Sequence, residues 1–423
     1  MILVIFKIMV LRLVFVRHGL SSFNEKGLIQ GRTNESKLTK LGYEQAKSAG
    51  EVLNSLNFNE IYSSPLLRAA ETAKTIEKSL KNDFEIKYDK NLLEVDLEQW
   101  TGLTITDIKK NYRDSYSIWK TNPEKLFLRK KDQTIYHPIQ ELFSQAERFI
   151  DHIQKHHLNN ENQNILIIAH NAILRCLILN LINRPHKGFR KLRLDNASIS
   201  ILNISNFNNS IKTQIECINQ TSHLNQNIPP KIGDSRIILV RHGETDWNKE
   251  GRFQGQIDIP LNTKGRDQAR KASEYLKDLD FKKAYSSSMQ RPFETAKIIL
   301  DKNKIKIQKI RELIEISHGL WEGKLEEEIK IKWPKTLESW HSKPEDVTMP
   351  EGESIKQVSE RSILAWEVIC KSQNADDITL LVAHDAVNKT LICNILGLSF
   401  SNIWMIKQGN GGITVIDIFN GPE

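Results

Sequence analysis

No two cysteines in this chain are spaced as CxxC. The four present, Cys176, Cys217, Cys370 and Cys393, form no paired framework. That argues against zinc ribbons and disulfide scaffolds and makes a reducing cytoplasm the expected setting. A long apolar run is also missing. The opening MILVIFKIMVLRLVFV is shorter than the roughly 20 residues of a membrane span, and Lys7 and Arg12 interrupt it. It lacks a small-residue cleavage site, so neither a leader peptide nor a membrane partner is expected. No block of basic residues is interleaved with aromatics, which sets nucleic acid aside despite a net charge of +8. Such a charge steers acidic ligands such as phosphates toward the protein, and it also describes a lysine-rich solvated surface. With 39% hydrophobic and 26% charged residues, the composition is that of globular domains.

What the sequence does have is an echo of itself. RHGLSSFN at His18 returns as RHGETDWN at His242, 224 residues later. IYSSPLLRAAETA around Arg68 matches AYSSSMQRPFETA around Arg291, and LLEVDLEQWTG around Glu94 matches LIEISHGLWEG around Glu315. ILIIAHNAILRCLI around His170 matches TLLVAHDAVNKTLI around His384, and DNASISILNI matches GNGGITVIDI, both at an offset of 214. A period this long excludes a solenoid of roughly 20 to 50-residue repeats and implies two domain-sized copies. They are expected at 9–220 and 235–423, joined through the Asn-, Gln-, Pro- and Gly-rich stretch 219–236. Residues 1–8 have no counterpart in the second copy and read as an upstream extension, with Met9 the expected start.

LRLVFV before Arg17 and RIILV before Arg241 are short β-rich runs, and so are NILIIA before His170 and ITLLVA before His384. They predict buried strands of a mostly parallel sheet. Helical spacing follows in TKLGYEQAKSAGEVLNSL and TKGRDQARKASEYLKDL, with Thr39 and Thr263 as expected N-caps, and further helices open at Arg68 and Arg291. IKTQIECIN predicts a last strand for the first copy. This alternation predicts an α/β fold: two tandem three-layer α/β/α sandwich domains. Both histidines of each copy then emerge at carboxyl ends of strands, where open α/β sheets bind ligands.

In the second copy Arg241, His242, Arg291, Glu315 and His384 come from distant places to that one edge. Two guanidiniums and two imidazoles converging there call for an anion, and a phosphoryl group fits. Arginine forks donate paired hydrogen bonds to its oxygens, and one imidazole can attack phosphorus in line. Gly243 is expected to let the backbone turn sharply beside that imidazole. A protonated Glu315 could donate to the departing oxygen, with Glu322 (and Glu98 in the first copy) as nearby alternatives. Trp100 and Trp321 read as packing residues. His152, His156 and His157 read as a helix-end cluster with no acidic or cysteine partner for a metal.

These motifs resemble the histidine phosphatase superfamily, also called phosphoglycerate-mutase-like, over essentially the whole chain, once per half. The resemblance implies that His242 accepts the phosphoryl group and Glu315 donates the proton. It implies a phosphate pocket of Arg241, Arg291 and His384, with Asn248 and Thr245 lining it. In the first copy the same roles would fall on His18, Glu94, Arg17, Arg68, His170, Asn24 and Ser21. It implies no metal and no organic cofactor, and a small phosphorylated metabolite as partner. The first copy departs from the second at Leu20 for Glu244, Thr101 for Glu322 and Asn171 for Asp385. These changes are expected to touch the rim more than the chemistry.

Mutases of the family carry a longer segment between the glutamate and the last histidine. The intervals here, 69 residues from Glu315 to His384 and 76 from Glu94 to His170, resemble the phosphatase branch. Hydrolysis of a small phosphomonoester is therefore expected, with phosphoglycerate mutase as the alternative. The tandem layout resembles plant and cyanobacterial 2-carboxy-D-arabinitol-1-phosphate phosphatases. A further alternative makes the first copy a module that binds a phosphorylated ligand without turnover.

Overall fold

The computed structural model describes residues 10–158, 160, 162–183, 188–207 and 210–419. The expectations for residues 1–8 and for Met9 lie outside them. The chain divides into two compact units between Pro229 and Pro230, within the 219–236 stretch.

In the first unit the strands are β1 (Val10–Arg17), β2 (Glu60–Ser63), β3 (Ile86–Tyr88), β4 (Leu128–Arg129), β5 (Ile135–Tyr136), β6 (Gln163–Ala169), β7 (Ile199–Phe207) and β8 (Ser210–Gln220). Among the described residues six of them form a sheet in the order β3-β2-β6-β1-β7-β8, and β4 and β5 make a separate hairpin. The four strands from β3 to β1 are mutually parallel, β7 pairs antiparallel with β1, and β8 pairs antiparallel with β7. The expected IKTQIECIN strand is β8. In the second unit β9 (Ser235–Arg241), β10 (Lys283–Ser287), β11 (Ile307–Ile310), β12 (Ile378–Ala383) and β13 (Ile413–Ile418) pair as β11-β10-β12-β9-β13. Only β13 is antiparallel.

Strand alternation explains the layers. Val14, Val16, Leu166 and Ile168 point to one face, where they bury Ala46, Ala49, Leu53, Ala69, Ala73 and Ile76 of the helices Lys40–Leu53 and Leu67–Glu77. Leu13, Phe15 and Ile167 point to the other, against Phe149, Ile153 and Leu177 of the helices Pro138–His157 and Asn171–Leu181. Strands covered on both faces must be apolar throughout, and Ile237, Ile238, Leu239 and Val240 of β9 are each fully buried. Thr39 caps its helix as expected, accepting from Gly42 N. Thr263 does not: Asn262 caps the helix Thr263–Tyr275 and accepts from Gly265 N at 2.8 Å. Among the described residues no helix is long and apolar enough to cross a membrane.

Candidate active site

Register places the two imidazoles of each unit side by side. In the second unit Arg241 pairs with Ala383 across parallel β9 and β12, so His242 and His384 follow their strands at the same level. The backbone N of His242 donates to the Ala383 carbonyl at 3.1 Å, and the rings lie 5.1 Å apart at 69°. The next parallel strand, β10, ends at Ser287, whose Oγ lies 2.9 Å from His384 Nε2.

The tautomer of His242 follows from its neighbours. Nδ1 lies 2.7 Å from the Gly243 carbonyl, and a carbonyl only accepts, so Nδ1 carries the proton. Burial, reinforced by Arg291 and then Arg241, holds this imidazole well below its ordinary 6.5. The ring is therefore neutral near pH 7, with its Nε2 lone pair exposed to the site. Arg291 Nε donates to that lone pair at 3.3 Å. The rest of the Arg291 fork is fixed by the Ile257 and Gly255 carbonyls at 3.0 and 2.9 Å. Arg241 donates to the Gln408 carbonyl at 2.6 Å and pairs with Asp385 at 3.2 Å. Its Nε and His384 Nδ1 are buried with no hydrogen-bond partner, which is costly unless a ligand completes them.

Glu315 sits at the N-terminus of the helix Asp385–Leu396, accepting from the backbone N of Asp385 at 3.1 Å and of Ile316 at 2.9 Å. Burial, reinforced by Asp385, raises its carboxyl above the ordinary value. Glu322, the alternative acid, is occupied by the backbone N–H groups of Gln256 and His318. Arg241, His242, Asn248, Arg291, Glu315 and Asp385 together line a cavity of about 270 Å³. Its outer wall is aromatic, made by Phe253, His318, Trp340 and Trp404. Burial lowers His318 to about 4, so it too is uncharged.

Two expectations are corrected here. Thr245 does not line the cavity: it is fully buried and caps the short helix Asp246–Glu250. Its hydroxyl accepts from Asn248 N at 3.1 Å and Gln254 Nε2 at 2.6 Å and donates to Asn248 Oδ1. That network, with Asn410 Nδ2 donating to Asn248 Oδ1 at 3.1 Å, uses the Asn248 oxygen and leaves its amide N–H groups for the cavity. Ser21 does the same in the first unit, bonded to Asn24 and Gln30. Gly243, in turn, has no left-handed backbone. A Cβ there would meet the Gly265 carbonyl oxygen at 2.3 Å, so this glycine exists to let the helix Thr263–Tyr275 approach the histidine loop.

The first unit repeats the geometry. His18 Nδ1 lies 2.8 Å from the Gly19 carbonyl, and its ring is 5.1 Å from that of His170. Ser64 Oγ lies 2.8 Å from His170 Nε2. Arg68 donates to the Thr33 and Gly31 carbonyls, both at 2.9 Å, and Arg17 to the Leu194 carbonyl at 2.7 Å. Glu94 accepts from the backbone N of Val95, Ala172 and Ile173 at 2.8, 3.1 and 3.3 Å. Glu98 is elsewhere, 3.6 Å from Lys131. Among the residues expected at each site, all but the two capping hydroxyls converge. Those not singled out from the sequence are Ser64 and Ser287, Asn196 and Asn410, and the cavity wall of Phe253, His318, Trp340 and Trp404. The serines and asparagines stood inside the repeated YSS and DNAS/GNGG segments, and that repetition was their signal.

The sequence model of the Histidine phosphatase superfamily (branch 1) matches residues 13–216 and again 237–422. A 2-carboxy-D-arabinitol-1-phosphatase of Triticum aestivum is 26% identical over 450 aligned positions, covering 97% of this chain and 83% of the wheat protein. A probable 2-carboxy-D-arabinitol-1-phosphatase of Arabidopsis thaliana is 27% identical, covering 97% of this chain and 85% of its own length. Phosphoserine phosphatase 1 of Hydrogenobacter thermophilus is 32% identical over 181 positions, covering 43% of this chain and 85% of its own. Two matched regions over most of the chain, each carrying the same converged side chains, place this protein in the histidine phosphatase superfamily.

Proposed function

We propose that the protein hydrolyses a small phosphomonoester through a phosphohistidine. His242 Nε2 attacks phosphorus in line, and the P–O bond to the leaving group breaks. Glu315 gives its proton to the departing oxygen. Water then attacks the phosphohistidine, Glu315 takes a proton from it, and the P–N bond breaks to release phosphate and neutral imidazole. Arg241, Arg291, His384 and the Asn248 amide hold the phosphoryl oxygens and stabilise the charge spread over them in the transition state. The observation that carries this reading is the fixed Nδ1–H tautomer of a buried, neutral His242: it leaves a nucleophilic nitrogen facing two guanidiniums. The 270 Å³ cavity is at the small end for ligand pockets, as suits a metabolite. Relatives named for a sugar-acid phosphate and for phosphoserine support that substrate class. We read the first unit as a second phosphoryl site on His18, Glu94, Arg17, Arg68 and His170. A reducing cytoplasm suits the four free cysteines.

The test is to incubate the full chain with a panel of phosphomonoesters, quench rapidly, and look for an acid-labile, base-stable phosphoryl group on the His242 peptide together with released phosphate. With 3-phosphoglycerate, free phosphate is expected. Accumulation of the 2-isomer would make the protein a mutase, and absence of any label or phosphate across the panel would end the reading.

A further inference from the structure

Glu315 stands in the stretch 311–318, between β11 and the 3₁₀ turn Gly319–Trp321. Its carboxyl accepts from the backbone N of Ile316, the next residue, so carboxyl and backbone move together. One ion pair from outside the stretch holds that backbone. Arg361, on the helix Ile355–Lys371, donates through Nη1 to the Glu312 and Ile314 carbonyls at 2.8 and 2.6 Å. Its Nη2 donates to the carbonyl of Glu315 itself at 3.0 Å. The same guanidinium forks onto Glu353, Nε to Oε1 and Nη2 to Oε2, both at 2.9 Å. Glu353 Oε2 accepts from the backbone N of Ser317 at 2.9 Å, and Glu353 N donates to the Ser317 carbonyl at 2.9 Å. Glu315 is thus gripped on both sides, through residues 312–315 by the guanidinium and through residue 317 by the carboxylate. Neither Arg361 nor Glu353 lines the 270 Å³ cavity, so the pair reaches a substrate only through the residues it holds.

The first unit meets the same demand with the chemistry exchanged. The carbonyls of Asn91, Leu93 and Glu94 match those of Glu312, Ile314 and Glu315 at one offset of 221. Gln145 Nε2, from the helix Pro138–His157, donates to the first two at 3.0 and 2.8 Å, and Arg32 Nε to the third at 2.9 Å. Arg32 Nη2 donates to Gln145 Oε1 at 3.1 Å, which closes the clasp. Arg32 stands where the second unit has Gln256, whose Nε2 donates to the Glu315 carbonyl at 3.1 Å and to Glu353 at 3.3 Å. Guanidinium and amide have traded sides while the same three carbonyls stay bonded. What the two units share is therefore the fixed backbone under the glutamate, and a reacting group must be held to within about 0.5 Å to act.

We propose that Arg361 and Glu353 are positioning residues for the proton donor, their ion pair fixing the backbone from which the Glu315 carboxyl meets the leaving-group oxygen. This rests on reading Glu315 as the donor.

The test uses the full chain carrying His18→Ala, so that turnover comes from the second unit, with phenyl phosphate and para-nitrophenyl phosphate as probes. The two esters are alike in shape, but phenolate leaves poorly without a proton and para-nitrophenolate leaves readily. Arg361→Lys keeps the charge and loses the fork, whereas Glu353→Gln keeps the shape and loses the charge. Each is expected to lower kcat/KM for phenyl phosphate by about 10- to 100-fold, and for para-nitrophenyl phosphate by far less, the pattern of a milder Glu315→Gln. A parallel drop on both esters would mean that the pair supports the site as a whole, and no drop on either would mean that Glu315 is held without it. Each of those results overturns the positioning role and, where Glu315→Gln still separates the esters, leaves the donor standing. If Glu315→Gln itself shows no contrast between the esters, the donor reading falls, and the positioning role with it.

Discussion

In the second unit Arg291 turns its Nε onto His242 and Asp385 stands among Arg241, Lys389 and Glu315. In the first, Arg68 Nε has no partner, and Asn171 is spent on a backbone carbonyl. Five side chains and their strand ends are shared, yet the charge around them is not. The departure at Asn171 therefore reaches into the site itself. Leu20 for Glu244 stays peripheral, because Glu244 pairs with Lys264 at 2.7 Å and accepts from Asn262. The lesson is that a repeat preserves what geometry demands, while one residue at a helix N-terminus resets the electrostatics.

The sharpest way to separate the units is to remove each nucleophile in turn. His242→Ala is expected to lower turnover of a phosphomonoester that the second unit hydrolyses by on the order of 10³- to 10⁶-fold, whereas His18→Ala should leave that substrate's kcat/KM nearly unchanged. Equal losses from the two would mean the units act as one centre.

Next come the acids. Glu315→Gln should cost about 10²- to 10⁴-fold in kcat on an alkyl phosphate. On para-nitrophenyl phosphate the loss should be far smaller, because that leaving group departs without a proton. Glu94→Gln should show the same contrast only on substrates that the first unit turns over. If Glu315→Gln loses equally on both leaving groups, Glu315 is not the donor.

A smaller effect concerns packing that both units share. Gly243→Ala drives a methyl to 2.3 Å from the Gly265 carbonyl oxygen, and Gly19→Ala does the same against Gly42. Each is expected to destabilise its own unit by about 1–3 kcal/mol through overpacking, read by denaturant unfolding. This contact also marks what the sequence hid. Strands, helices and the five converging side chains were legible because period-2 and 3.6 patterning and the repeat both report them. The close approach was not, since a glycine beside a histidine looks the same whether it turns the chain or admits a neighbouring helix. Thr245 and Ser21 looked like ligand contacts for a similar reason, a hydroxyl three residues before an asparagine being equally a helix cap. Trp340 and Trp404 reach the cavity from the helix Pro334–Ser342 and the 3₁₀ segment Phe400–Met405, where no repeated motif announces them.

The finest test exchanges the one carboxylate that distinguishes the sites. Burial raises the Glu315 carboxyl first and Asp385 adds to it, while Arg291 and Arg241 pull the other way. Glu315 must be protonated to donate, so turnover of an alkyl phosphate falls as pH rises through its value. Asp385→Asn removes a raising influence and unmasks the Arg241 charge, and both lower that value. The basic limb of the kcat profile should therefore move to lower pH. The acidic limb belongs to His242, which is depressed by burial, Arg291 and Arg241, so it should stay below 6.5. A basic limb that does not move would mean that the difference between Asp385 and Asn171 leaves the proton donor untouched, and one that moves to higher pH would mean that Asp385 lowers the Glu315 carboxyl instead of raising it.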